Sequence, residues 1–523
     1  MSVSQVVCGA IQGIDAVEVM VEVDITTGVP ALTIVGLPDT SITEAKERLR
    51  SAIKNAGFAF PLKKIVINLA PGDLKKIGTG FDLPMAVALL QSAEYFPMAQ
   101  FIDDTCFVGE LSLDGSLRPV KGILAIAMMA KNIGYANIVV PKDNQDEAAL
   151  IDGLNVYGLG HLSDLPLLLD SPEQFRCTLD PRAALASMKP TEPQVDFDDI
   201  HGQQQGKRAL EIAAAGGHNI ALFGPPGSGK SMMAKAFSGI LPPMDFDEML
   251  EVSRIFSIAG QINSSEHPLV TERPFRSPHH SASVPGIVGG GNPPKPGEIT
   301  LSHHGVLFLD EFTEFNRSVL EVLRQPLEDR VVTVSRAQQA LTFPAQFILM
   351  VAMNPCPCGY LGDTQKNCTC SQVNVQKYLG KLSGPLMDRI DMELEVPRLD
   401  QDALMNKNKG SCGEATAAIR ERVIKARQRQ KARFETEKLP YRTNAELQGE
   451  TLRKYCQLDE AGEVLMAQAV KRFHLSGRAF DRMLKLARTI ADLAESDVIE
   501  ATHLAEALQY RCYDKLMSTL QFA

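Results

Sequence analysis

"LFGPPGSGKSMMAKAFSGIL", residues 222–241, sets an apolar pair before a glycine-rich turn and an apolar helical pattern after it. Gly224, Gly229, Lys230 and Ser231 stand in the spacing G-x-x-x-x-G-K-S, with Pro225, Pro226, Gly227 and Ser228 between them. The chemistry needs this context. Glycines let backbone N–H groups wrap phosphate oxygens, and the amino terminus of the following helix faces the same anions. Lys230 is placed for β- and γ-phosphate oxygens, and the Ser231 hydroxyl for Mg²⁺. A glycine-rich turn that served structure alone would need neither the strand nor the helix. The stretch predicts an ATP and Mg²⁺ site on a parallel α/β sheet.

Working outward, "GVLFLDEF" (305–312) and "FILMVAMN" (347–354) are continuous apolar runs that end in polar residues. Such runs suit parallel strands covered on both faces, with ligands at their carboxyl ends. Asp310 is read as holding Mg²⁺ through water, and Glu311 as orienting the attacking water. Asn354 is read as a sensor of the γ-phosphate. Arg389 in "GPLMDRIDM" and Arg478 in "LSGRAFDRML" are candidates for completing the site. An arginine offered to a neighbour's γ-phosphate accelerates hydrolysis by roughly 10³ to 10⁵. The competing reading of each is a surface ion pair.

The 523-residue chain is too long for one core, which suggests about three domains. We expect residues 1–178 to form one domain, 179–199 a linker, 200–398 the nucleotide-binding core and 399–523 a helical domain. In the first, "KKIVINLAP" and "ANIVVPKD" read as strands and "DLPMAVALLQSA" as a helix. Hydrophobic content of 45% and charged content of 22% are ordinary for a folded protein, and no apolar run reaches spanning length. With no secretory pattern at the start, a cytoplasmic protein without a membrane partner is expected. The net charge of −10 means that a nucleic-acid contact would need a local basic patch. Seven basic residues from Arg420 to Arg433 at helical spacing are read as the solvated side of a helix before a DNA-binding face.

"GPPGSGKS", "FRSPHHSAS", "PGEITLSHHGVLFLDEF", "NPCPCG", "SGPLMDRIDM" and "ARTIADL" together resemble the magnesium-chelatase-like branch of AAA+ ATPases, and within it the YifB/ComM family. The resemblance covers nearly the whole chain. It implies a doubly wound AAA+ core with a helical lid, ATP between subunits of a hexameric ring, Arg389 as an arginine finger in trans and Arg478 as the second sensor on the lid. The 80 positions from Lys230 to Asp310 contain "RSPHHSASVPGIVGGGNPPKPGEI", which resembles the helix-2 insert (about 253–300). "RVVTVSRAQQALTFPAQ" resembles the presensor hairpin (about 330–345). Arg336 and Lys295 on these hairpins are the candidates for DNA phosphates. Packing against neighbouring subunits is the other reading of the insert.

Residues 63–90 and 109–141 resemble the peptidase domain of Lon. That family uses serine with lysine, and its two positions fall at or beside Gly80 and Leu124, which can neither attack nor accept a proton. Thr79 and Lys121 are offset. An inactive α+β domain is expected. The family resemblance implies a helicase promoting branch migration on single-stranded or branched DNA during natural transformation, with recombination proteins as further partners. A metal-chelatase-type remodelling motor and an ATP-dependent protease or unfoldase are the alternatives.

Cys356, Cys358, Cys368 and Cys370 form two C-x-C pairs directly after Asn354. Four thiols in one loop suit a structural Zn²⁺, although the one-residue spacing is tighter than usual. Free thiols and a redox pair are the other readings. His279, His280, His303 and His304 lack cysteines or carboxylates at ligand spacing, which argues against metal there.

Overall fold

The computed structural model describes residues 3–96, 100–180, 195–262, 268–291, 294–336, 339–363, 365–398, 414–473 and 475–511. Most of the expected linker, and residues 399–413 and 512–523 of the expected helical domain, lie outside them.

The chain opens on a hairpin. Ser4–Gln12 and Asp15–Thr26 pair antiparallel around Gly13, whose φ of 68° suits a residue without Cβ. In the second strand Val19, Val21, Val23 and Ile25 are buried while their neighbours are not, the period-two pattern of a sheet with one covered face. Five more strands extend it to a mixed seven-stranded sheet in the order 31–35, 64–70, 15–26, 4–12, 105–107, 137–141, 155–159. Helices Asp82–Ser92 and Ile123–Ile133 lie in its core, so both are apolar nearly all round.

The second sheet has five parallel strands in the order Phe275–Arg276, Val306–Leu309, Ile348–Met353, Ile220–Phe223, Met392–Glu395. The three apolar runs expected as strands occupy its centre. Its two edges, "FR" and "MELE", are too short or too polar to show as buried strands in the sequence. Ile220–Phe223 lies between a later strand and the last one. The loop leaving its carboxyl end therefore opens into the crevice where such sheets bind ligands.

The C-terminal helices Thr416–Thr436, Gly477–Leu493 and Ala501–Ala507 pack with Gln204–Gly216, and one core runs from Phe197 to Tyr510. Part of the basic run on Thr416–Thr436 is engaged within this assembly. Arg422 pairs with Glu211 and Glu414, Arg433 with Asp492, and Arg427 donates to the Ala214 carbonyl. The expectation of a solvated face is corrected in part: Arg427 and Arg433 turn toward the core, whereas Lys425 and Lys431 are more than half exposed and pair along the helix with Glu421 and Glu435.

The two sheets meet at helix Phe246–Ala259. Arg254 pairs with Asp15 at 3.0 Å, and the Ser257 hydroxyl donates to the Glu147 carboxylate. Lys121 lies against Gly260, at the carboxyl end of that helix, where a cation is favoured. Gly80 packs near Val108, Leu124 is fully buried, and Thr79 donates to Glu110. Among the described residues, no helix is long and apolar enough to cross a membrane.

Candidate nucleotide site

The phosphate loop follows a fully buried strand and enters the helix Lys230–Ile240. Gly227 and Gly229 take φ of 76° and 94°, the left-handed turn that points successive N–H groups inward. Gly224 is required for a different reason: a Cβ there would lie 2.2 Å from the Val396 carbonyl oxygen.

Lys230 curls back over the loop. Its Nζ donates to the Gly224 and Pro225 carbonyls at 2.8 and 2.9 Å and reaches Asn354 Oδ1 at 3.4 Å. Burial pushes Lys230 down to about 8, against the pull of Asp310. Ser231 Oγ donates to Asp310 Oδ2 at 2.6 Å. A hydroxyl and a carboxylate converging beside the phosphate cradle are hard oxygen donors, and they fit Mg²⁺. The geometry thus brings Lys230, Ser231, Asp310 and Asn354 to one place.

Glu311 sits at φ 50°, a conformation uncommon outside glycine that holds its carboxylate off the strand line. Glu311 Oε2 lies 3.0 Å from His280 Nδ1. His280 follows the edge strand Phe275–Arg276, so two adjacent strands deliver the pair. Sequence reading found the histidine but no partner for it, because the two residues are 31 positions apart.

Arg389 and Arg478 are elsewhere. Both face Glu328, Arg478 Nη2 at 3.4 Å, at the amino-terminal end of the strands. Arg389 Nε is buried and finds no acceptor among the described residues. The two arginines share a cleft of about 780 Å³ with Arg442, Arg482, Asp388 and Glu328. Strands of four to six residues separate that cleft from the phosphate loop by roughly 13 to 20 Å. Neither arginine reaches its own chain's Lys230 site.

Lys295 is exposed on a short hairpin, Gly289–Gly290 with Lys295–Pro296. Arg336 ends the strand Val331–Arg336, paired with Gln339–Pro344; the turn between them lies outside the described residues.

The histidine reading needs one correction. Glu251, from another helix, supplies the carboxylate that no local spacing showed: its Oε2 lies 3.1 Å from His303 Nε2 and 2.6 Å from His304 Nε2. The Gln346 N–H points at His303 Nδ1, so the hydrogen-bond partners assign that ring's proton to Nε2, toward Glu251. Burial pushes His303 down to about 4, in keeping with a neutral ring. This trio is a closed hydrogen-bonded cluster rather than an open ligand set, because a ligating imidazole donates from its other nitrogen.

A phosphate loop on a parallel sheet, with a hydroxyl–carboxylate pair beside it, defines a phosphate-loop ATPase-type protein, the class for which ATP binding and Mg²⁺ use are expected. Comparison with family profiles agrees: residues 196–404 match "Magnesium chelatase, subunit ChlI", 21–144 "Subunit ChlI of Mg-chelatase", and 413–511 "Magnesium chelatase, subunit ChlI C-terminal". The chain is 43% identical to the uncharacterized protein YifB of Escherichia coli (strain K12), covering 100% of this chain and 99% of that one. It is 41% identical to competence protein ComM of Haemophilus influenzae, covering 99% of each. The chain belongs to the YifB/ComM family. A shorter similarity, 30% over 155 residues, links 27% of it to 26% of Lon protease 2 from Bacillus subtilis.

Proposed function

We propose that the protein is a ring-forming, ATP-driven DNA motor, a cytoplasmic helicase that promotes branch migration as recombination incorporates DNA during natural transformation. The observation that carries the motor reading is the separation of Arg389 and Arg478 from Lys230. A chain that holds its two candidate arginines at the far end of its own sheet presents them to a second copy, and repetition of that contact closes a ring, with a hexamer expected. The DNA reading is supported by the family and by the name of its competence-protein member. Lys295 and Arg336, each on a short hairpin, are its candidate phosphate contacts.

In this reading the phosphate loop and Lys230 bind the triphosphate. Mg²⁺, held by Ser231 and through water by Asp310, would neutralise phosphate charge. Glu311 orients water for in-line attack, Asn354 reports the γ-phosphate, and Arg389 of one subunit faces the nucleotide of the next. The products are ADP and phosphate. The thiol cluster beside the site adds a candidate zinc centre.

The test is ATP hydrolysis with and without single-stranded or forked DNA, paired with strand separation on the forked substrate. Stimulation and unwinding are expected. Hydrolysis indifferent to every DNA, with no DNA bound at low salt, overturns the DNA reading. Stimulation instead by a porphyrin-binding partner or by unfolded protein would move the protein to a chelatase-type or unfoldase role.

A further inference from the structure

The chain leaving Asn354 passes Cys356 and Cys358, turns, and returns through Cys368 and Cys370 before the helix Gln372–Leu379. Its four sulfurs converge. Cys356 Sγ lies 3.3 Å from Cys358 Sγ and 3.6 Å from Cys368 Sγ, and Cys358 Sγ lies 3.6 Å from Cys368 Sγ. All four sit within 4.8 Å of one another. Tetrahedral Zn–S bonds of about 2.3 Å place sulfurs about 3.8 Å apart. A disulfide would need about 2.05 Å, and all four are free cysteines. Two backbone N–H groups already point at sulfur: Cys358 N donates to Cys370 Sγ, and Cys370 N to Cys368 Sγ, each at 3.4 Å. Such outer bonds orient metal-binding thiolates.

The loop has its own small core, in which Cys356 is buried with Val375 and Leu379 against Leu361 and Tyr378. It is also fastened to the nucleotide site at two points. Gly359, at φ 83°, abuts the phosphate loop so closely that a Cβ would lie 2.6 Å from Pro226 Cδ. Thr313 Oγ1, two residues past Glu311, donates to the Tyr378 hydroxyl at 2.5 Å. One loop therefore touches both the phosphate loop and the exit of the acidic strand.

We propose that Cys356, Cys358, Cys368 and Cys370 bind one Zn²⁺ as thiolates, releasing their protons to solvent, and that the closed knuckle braces Pro226 and Thr313, so that zinc occupancy sets nucleotide affinity. The inference rests on the nucleotide reading of the Lys230 site and is independent of DNA. Binding at the knuckle converts a loop that would otherwise pay entropy for its shape into a fixed wall.

Full-length protein purified without chelator carries one equivalent of zinc by plasma mass spectrometry, and its Co²⁺-exchanged form shows the visible absorption of a tetrahedral thiolate site. Removing the metal weakens a fluorescent ATP analogue by about tenfold or more, and added Zn²⁺ restores it. Gly359→Ala keeps all four ligands, so it retains zinc yet weakens the analogue through the clash with Pro226. This variant decides the coupling if the stripped protein unfolds. Less than about a tenth of an equivalent of metal, with no Co²⁺ spectrum, overturns the site. Zinc bound while neither stripping nor Gly359→Ala moves analogue affinity overturns the brace. Both measurements omit DNA, so their failure and that of the DNA reading are distinguishable.

Discussion

His280 Nδ1 lies 3.0 Å from Glu311 Oε2, with the imidazole about one-third exposed and the carboxylate more than half exposed. In the proposed mechanism Glu311 accepts a hydrogen bond from the attacking water, and here that carboxylate is engaged by a histidine of the insert. His280→Ala is expected to raise basal kcat for ATP with little change in KM, because His280 is not in the phosphate cradle. A pair of this exposure is worth about 1 kcal/mol, or about fivefold in rate. Steady-state kinetics check it, and an unchanged kcat would show that His280 does not restrain Glu311.

The arginine cleft predicts a division of labour between subunits. Arg389→Ala should bind ATP normally and lose roughly 10³-fold in kcat. Lys230→Ala should fail to bind. Mixing the two inactive proteins should recover part of the hydrolysis, since one subunit's intact Lys230 then meets another's intact Arg389. No recovery in assembled mixtures argues for a site completed within one chain.

Nucleotide affinity should depend on pH in a defined direction. Free Lys230 sits at about 8 because burial disfavours its charge. Phosphate oxygens favour that charge, so binding raises the value and takes up a proton wherever free Lys230 is neutral. Affinity is full below about 8 and falls as pH rises through it, by up to about tenfold per unit. Calorimetry in buffers of different ionisation enthalpy should find almost no proton uptake near pH 7 and nearly one near pH 9, to about that precision.

Asp492 anchors the C-terminal helices. It accepts from Arg433 Nη2 at 2.5 Å, Arg488 Nε at 3.1 Å and Asn444 Nδ2 at 2.8 Å, with its carboxylate buried. Asp492→Ala takes the shared carboxylate from two guanidinium groups, one of them buried, and should destabilise by about 3 to 5 kcal/mol. Arg429→Ala, whose partner Asp497 is exposed, should leave the urea midpoint unmoved. Urea unfolding followed by circular dichroism compares them.

The phosphate loop was legible from residues 222–241 alone because its demands are local. Its glycines, lysine and serine are contiguous, and their φ angles and donor positions follow from that order. The apolar strands ending at Asp310 and Asn354 were legible for a similar reason, since burial on both faces leaves an unbroken apolar run. The edge strands, too short or too polar to carry that signal, were not.

What only the tertiary structure decided is which distant side chains meet. Sheet order, not sequence spacing, brings His280 to Glu311 and sets Arg389 beside Arg478 at the end away from Lys230. Helix packing carries Glu251 to His303 and His304, and the fold of one loop gathers four sulfurs against the phosphate loop. Residues tens of positions apart have no local pattern through which to announce a contact, so their chemistry emerges only when burial of the strands and helices between them fixes the distance.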